Sequence, residues 1–478
     1  MQAFQPTTTP MEAKLIRLHP ADNVLVSFSD LEPYQRGFKY AAKRLKKGTP
    51  IIKLGNEIGC LTSDVEQSEL IHTHNIETGS IRSNKITTNF SLDLPINDSV
   101  SLFRNPRVGR YATRKNILII STVSCVNRTV LEIAREFEDK NDLYTRVIPI
   151  THNTGCGLVV GSEDHRCLQR TIYGYTINPN TFHVAIIGLG CEDNQFCSTD
   201  YPSDVHYYSV QELGEPELIR VVSDTIRTEL RNVVEIRPEN RSLGDICFAL
   251  QCGGSDSFSG ITANPLLGYA TSSLLKLGAA VILSETPEVR GFEECLIQLC
   301  KHVEDKEKFA NIFREWDMRK IGTNNPAPGN FKGGISTNLE KSIGAIQKFG
   351  FNRLDQVLRF AEIPRAITGM TFMDSPGYDP CSISGQISSG ATCLIFTTGR
   401  GSNYKNSFLP TVKIGSNTLM SKKHPGFIDV DAEELMANYS LVKAVSRLLE
   451  VIVESINIPK QDMIIHSDFV PWLQGGMN

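Results

Sequence analysis

The chain has 478 residues, 40% of them apolar and 21% charged, and a formal net charge of −4. That length allows two or three domains with a sizeable core. The charge argues against a broad nucleic-acid footprint but leaves room for a local cationic pocket.

Residues 1–13 are polar and rich in Thr and Pro, without the apolar stretch of a secretory signal, and predict a disordered tail. No apolar run reaches the roughly 18 residues of a membrane span. The expectation is a cytoplasmic protein without membrane or nucleic-acid partners.

Residues 14–90 hold short β-like runs, Leu15–Leu18, Val24–Ser27, Thr49–Lys53 and Gly55–Cys60, and predict a small β-rich domain. His72-Thr73-His74 lies near its end. On a strand the two imidazoles share a face, about 6–7 Å apart, and suit iron, manganese or zinc; otherwise they are surface histidines. Residues 91–114 contain Pro95, Asn97, Asp98, Asn105, Pro106 and Gly109 and read as a basic linker carrying Arg104, Arg107, Arg110 and Arg114.

From residue 115 the pattern changes. The apolar runs Ile117–Ile120, Val184–Ile187, Ile246–Leu250, Ala280–Leu283 and Leu394–Phe396 alternate with helical stretches such as Glu215–Val233, Leu266–Leu277 and Ala432–Ile456. This predicts an α/β fold with mostly parallel sheets, divided into a domain over 115–240 and a C-terminal catalytic domain over 241–478. Each run ends in small residues with Cys, Glu, Asp or Arg, and such sheets bind ligands at the carboxyl ends of their strands.

Twelve cysteines without a CxxC pair do not read as a disulfide framework. Cys125, Cys156, Cys191 and Cys252 either bind iron, as an ion or a cluster, or fill a pocket wall as small apolar residues. Glu192, Asp256, Glu285 and Glu288 are metal ligands or proton-transfer groups, or caps of the helices that follow. Gly188-Leu189-Gly190 fits a dinucleotide loop poorly, because Asp193 takes the third glycine position; no nicotinamide is expected. Arg400, between two glycines, and Lys413 are candidate holders of a carboxylate.

The strings Thr-Val-Ser-Cys125-Val-Asn, Thr-His152-Asn-Thr-Gly-Cys156-Gly, Gly-Leu-Gly-Cys191-Glu-Asp-Asn-Gln, the fifteen-residue run Gln251 to Pro265, Leu-Ser-Glu285-Thr-Pro-Glu288, Asn325-Pro-Ala-Pro-Gly-Asn330, Leu-Glu340-Lys-Ser and Thr-Thr-Gly-Arg400-Gly-Ser together resemble the altronate/galactarate dehydratase family. The resemblance covers nearly the whole chain. Ile52 to Gly59 and His72 to Asn75 are similar to the family's SAF-type β-clip, so the resemblance implies a SAF-like domain over 14–90 before a large α/β region. It also implies loss of water from a sugar acid, with D-altronate to 2-keto-3-deoxy-D-gluconate as the leading pair and galactarate or sulfolactate as alternatives. The implied cofactor is a divalent metal, Fe2+ or Mn2+, and a homo-oligomer is compatible with it.

On this reading His72, His74 and Glu192 hold the metal, and His152 or Glu285 takes the C2 proton. Asp256 is a further acid–base candidate that also meets the substrate hydroxyls with Ser255 and Asn264. Arg400 and Lys413 hold the carboxylate, and Arg114 is a further substrate-binding residue. Three positions depart from the family's pattern: Phe38 stands where it has His in Gly-His-Lys, Phe331 where it has Lys in Pro-Gly-Asn-Lys, and Ala112 where it tends to have Gly. The departures imply a shifted substrate or a non-catalytic, sugar-acid-binding relative.

Overall fold

The computed structural model describes residues 15–78, 91–197, 200–319, 328–458 and 469–473. The tail expected over 1–13, residues 79–90 of the first domain and Asn325–Ala327 lie outside the described residues.

The first domain is built from two small antiparallel sheets. One has the order Leu15–Ile16, Val24–Ser27, Lys39–Ala41, Leu70–Ile71; the other has Pro50–Lys53, Asn56–Leu61, Ile76–Glu77. Val24, Val26, Ile51, Ile58, Leu61 and Ile71 are buried between them, the one-sided burial expected of short antiparallel strands. His72-Thr73-His74 does not extend a strand. It forms a turn between Leu70–Ile71 and Ile76–Glu77, closed by the Asn75 side chain, which accepts from the His72 amide at 2.9 Å. The same-face argument for the two imidazoles therefore does not apply.

The expected linker is partly a sheet. Ser99–Arg104 pairs antiparallel with Glu239–Ser242 on one side and Tyr111–Ala112 on the other. Its alternation buries Val100 and Leu102, a period-2 signal hidden among turn residues.

The second domain is a four-stranded parallel sheet in the order Thr145–Ile150, Lys115–Ser121, Thr181–Gly188, His206–Ser209. Helices Asn127–Arg135, Glu163–Ile177 and Glu215–Val234 cover it. Glu215–Val234 turns Leu218, Val222, Ile226 and Leu230 inward, a helical stripe with one apolar face.

The C-terminal domain holds a seven-stranded parallel sheet. Its order is Leu354–Leu358, Gly369–Met373, Ala280–Leu283, Cys247–Cys252, Cys393–Thr398, Thr411–Gly415, Val430–Asp431. The chain starts at Cys247–Cys252, adds Ala280–Leu283, then the edge strand Leu354–Leu358, inserts Gly369–Met373 between those two, and returns to build on the other side. Strand order thus reverses between Cys247–Cys252 and Cys393–Thr398, and the carboxyl ends there form the crevice where ligands bind in open α/β sheets. The predicted helix over 432–456 is two, Ala432–Asn438 and Leu441–Asn457. The second starts at Ser440, whose hydroxyl accepts from the Lys443 amide at 3.4 Å.

Candidate active site

The turn after Cys247–Cys252 is fixed by side chains from three loops. Asp256 accepts from the Ser259 amide and hydroxyl, both at 2.8 Å, from the Ser416 hydroxyl at 2.7 Å and from the Asn417 amide at 2.8 Å. A Cβ on Gly399 would stand 2.2 Å from Asp256 Oδ1, so only glycine allows this approach. Four donors saturate the carboxylate; Asp256 joins loops rather than carrying protons, a correction to its expected acid–base role. Asn264 is likewise engaged at both ends, donating to Gly344 O at 2.9 Å and accepting from Thr397 Oγ1 at 2.7 Å, which corrects its role as a hydroxyl contact. Ser255 remains at the site, its hydroxyl 3.4 Å from Cys252 Sγ.

Around this turn the fold buries an acid–lysine cluster. Glu285 follows strand Ala280–Leu283 with φ +72, a conformation that is strained for a residue with a Cβ. Its Oε2 lies 3.2 Å from Lys348 Nζ, and with the Gln251 NH2 turned toward it, Gln251 donates to its two oxygens at 3.1 and 3.2 Å. Glu288 Oε1 pairs with Lys341 Nζ at 2.6 Å, whereas Oε2 is buried and has no hydrogen-bond partner among the described residues. Burial first, then the neighbouring Glu288, pushes the Glu285 carboxyl well above its usual range. Burial and Glu288 together push Asp379, at the start of helix Asp379–Ser388, up to about 7.

Helix Asn338–Ile346 supplies Lys341 to this cluster and Glu340 to a second one. Glu340 takes Lys39 Nζ at 2.8 Å and Lys53 Nζ at 2.7 Å, both from the first domain. Lys53 also donates to Ser257 Oγ at 2.7 Å, and Lys39 to Gly334 O at 2.9 Å. Burial opposes the Glu340 charge, but the two ammonium groups outweigh it and hold the carboxyl at about 2. Burial, with the like charge of Lys53, holds Lys39 down at about 8 against the pull of Glu340. One small cavity is lined by Lys53, Ser255, Ser257, Glu340 and Lys341, residues of both clusters. His72 stands beside the second, its pKa lowered to about 4 by burial and then by the Lys39 charge.

The other expected residues are dispersed. His152 is buried in the second domain, with Nε2 at 3.0 Å from Ser121 O and Nδ1 accepting from the Thr154 amide at 3.3 Å. Both ring nitrogens are used, so it is not placed as a base. Glu192 closes its own loop, accepting from Thr122 Oγ1 at 2.5 Å and the Gly190 amide at 2.7 Å, and does not complete a ligand set with His72 and the exposed His74. Among the described residues no three His, Cys, Asp or Glu side chains are placed to share an ion. The donor set expected for a divalent metal is therefore not assembled by these residues. Cys125, Cys156 and Cys191 are exposed on loops at the carboxyl edge of the four-stranded sheet, while Cys252 is buried in the seven-stranded one; the four thiols do not form one site. Arg400 is at the exposed rim, its amide donating to Gly254 O at 3.0 Å. Arg114 and Lys413 line a separate cleft with Arg146 and Lys405. Arg114 donates to Ser455 O at 3.3 Å and Lys413 to Ser402 O at 2.8 Å, so neither joins Arg400.

The residues that sequence reasoning passed over are Lys39, Lys53, Glu340, Lys341, Lys348 and Asp379. The signal available was Glu340-Lys341 set between Leu339 and the apolar stretch from Ile343 to Ile346. Charges in an apolar run are buried only if paired.

Comparison with known proteins gives the same domain sequence. Residues 31–79 match the Altronate/galactarate dehydratase SAF domain, 103–233 the D-galactarate dehydratase/Altronate hydrolase second domain, and 243–476 the D-galactarate/Altronate dehydratase C-terminal domain. An altronate dehydratase of Escherichia coli (strain K12) is 30% identical, covering 95% of this chain and 97% of its own. An altronate dehydratase of Bacillus subtilis (strain 168) is 30% identical over 91% of this chain and 94% of its own. A galactarate dehydratase (L-threo-forming) of Escherichia coli (strain K12) is 26% identical over 90% of both chains. With its SAF domain, its second domain and its C-terminal parallel sheet, the chain belongs to the altronate/galactarate dehydratase family.

Proposed function

We propose that this chain is a hydro-lyase that removes water from a sugar acid, with D-altronate to 2-keto-3-deoxy-D-gluconate as the leading reaction and galactarate as the next candidate. The observation that carries the reading is the Glu285–Lys348 and Glu288–Lys341 pairing beside Asp379 at the sheet's carboxyl end. The relatives, named as dehydratases of altronate and galactarate, point to the same chemistry.

A β-elimination needs a base for the C2 proton, positive charge for the enediolate, and an acid for the departing 3-hydroxyl. Burial and Glu288 raise the Glu285 carboxyl, which makes its carboxylate a stronger base toward the C2 proton. Lys348 and Lys341, both buried, place positive charge at the developing enediolate, and burial is where such charge acts most strongly. Asp379, protonated about half the time near pH 7, gives its proton to the leaving 3-hydroxyl, which departs as water. The enol then takes a proton at C3 and becomes the 2-keto-3-deoxy acid. Glu288 Oε2, buried without a partner among the described residues, is free to accept from a substrate hydroxyl, and Arg400 at the rim suits the carboxylate. No step is assigned to a metal, because the described residues do not complete a ligand set.

The test is release of 2-keto acid from a panel of aldonates, aldarates and sulfolactate, measured under anaerobic conditions with and without added Fe2+. Turnover of altronate supports the reading; turnover of another member moves the substrate. Binding of a sugar acid without turnover supports a non-catalytic relative. Among the described residues no helix is long and apolar enough to cross a membrane.

A further inference from the structure

We propose that the His72 pocket of this chain excludes the divalent cation, and that Phe38, Phe331 and Lys39 are the groups that exclude it. The inference rests on the hydro-lyase reading only in naming the expected ion, iron(II) or manganese(II).

Three observations support it. First, the imidazole is clamped: the Phe38 ring meets it edge to face at 5.1 Å between centroids and the Phe331 ring at 6.5 Å. One ring nitrogen is taken by the Phe331 backbone. Nδ1, the nitrogen left with a lone pair, is buried without a partner among the described residues. An ion about 2.0–2.1 Å from that nitrogen would need further ligands, and the two aromatic rings beside the imidazole offer none.

Second, the charge is wrong. The charges that act on His72 are the Lys39 ammonium first, then the Glu340 carboxylate that Lys39 shares with Lys53, and the imidazole of His74. The strongest of them is the positive charge of Lys39, which opposes a divalent cation at that imidazole. Third, Phe38 and Phe331, far apart in sequence, both reach the same imidazole with side chains that carry no metal-ligating atom.

The experiment measures Mn2+ binding to the full chain by EPR of the free ion. The proteins compared are wild type, His72→Ala, Phe38→His and Phe38→His combined with His72→Ala, each checked by circular dichroism for folding. The expected result is an isotherm for wild type unchanged by His72→Ala, and a new site in Phe38→His, at least tenfold tighter, that disappears in the double variant. Wild-type binding that is lost on His72→Ala overturns the proposal, and the wild-type comparison decides this even if Phe38→His fails to fold. A folded Phe38→His protein that gains no His72-dependent site also counts against it. Keto-acid release is scored separately on the same samples, so failure of the hydro-lyase reading leaves the binding result interpretable.

Discussion

Glu340→Gln is the most informative single change, because it removes one charge from a triad joining two domains. Lys39, Lys53 and Glu340 have side chains 0%, 3% and 4% exposed, so water screens them little. The Ser336 amide at 2.8 Å and hydroxyl at 2.9 Å also donate to Glu340 Oε2. A glutamine keeps the shape but leaves two buried ammoniums without a counter-charge, a change that costs about 3–5 kcal/mol when one partner of a buried pair is removed. An independent figure comes from linkage. The carboxyl is held at about 2 against an ordinary 4.5. Its contribution is therefore fully present above pH 4.5 and is lost as pH falls through about 2, a span worth about 3 kcal/mol. Urea unfolding at pH 7 followed by fluorescence measures the loss, and Lys39→Met in the Glu340→Gln background restores part of it. A loss below about 1 kcal/mol, or no coupling between the two changes, refutes the claim that this triad holds the first domain to the third.

Asp379→Asn and Glu285→Gln each lower kcat by about 10²–10⁴ with smaller effects on KM. In the wild type the rate falls as pH rises through about 7, since an acid catalyst works only while protonated, and Asp379→Asn removes that limb in a stopped-assay pH profile. The same raised carboxyl stabilises the fold fully below its ordinary 3.8, and that contribution fades as pH rises through about 7. His152→Phe costs about 1–3 kcal/mol in urea unfolding by leaving Ser121 O unpaired, and shifts no pKa in the pH–rate profile; a shifted profile would return His152 to the chemistry. Native thiol titration labels Cys125, Cys156 and Cys191 quickly and Cys252 only on unfolding, read by mass spectrometry of the labelled peptides.

The α/β class, the β-rich first domain and the carboxyl-end location of the site were legible because continuous apolar runs followed by Gly, Ser and Cys state them locally. The placement of Glu285 and Ser255 in the loops after their strands was legible for the same reason, since they lie just beyond Leu283 and Cys252. His72-Thr73-His74 misled because spacing cannot show that Asn75 folds the segment into a turn. His152, Glu192, Asp256 and Asn264 carry the right chemistry, but their hydrogen bonds are spent on backbone and neighbouring side chains, which only the tertiary structure reveals. Lys39, Lys53 and Glu340 were hidden because the cluster needs two domains in contact. Ser99–Arg104 was missed because its alternation is embedded in turn residues.

The central claim is that this chain eliminates water across C2 and C3 of a sugar acid with Glu285 as the base. The most direct measurement is proton NMR of D-altronate incubated with the enzyme in D2O, beside Glu285→Gln. The account predicts a 2-keto-3-deoxy acid carrying one deuterium at C3, with the variant slower by at least 10². A sugar acid that binds but yields no keto acid, or a Glu285→Gln variant with full turnover, would contradict it.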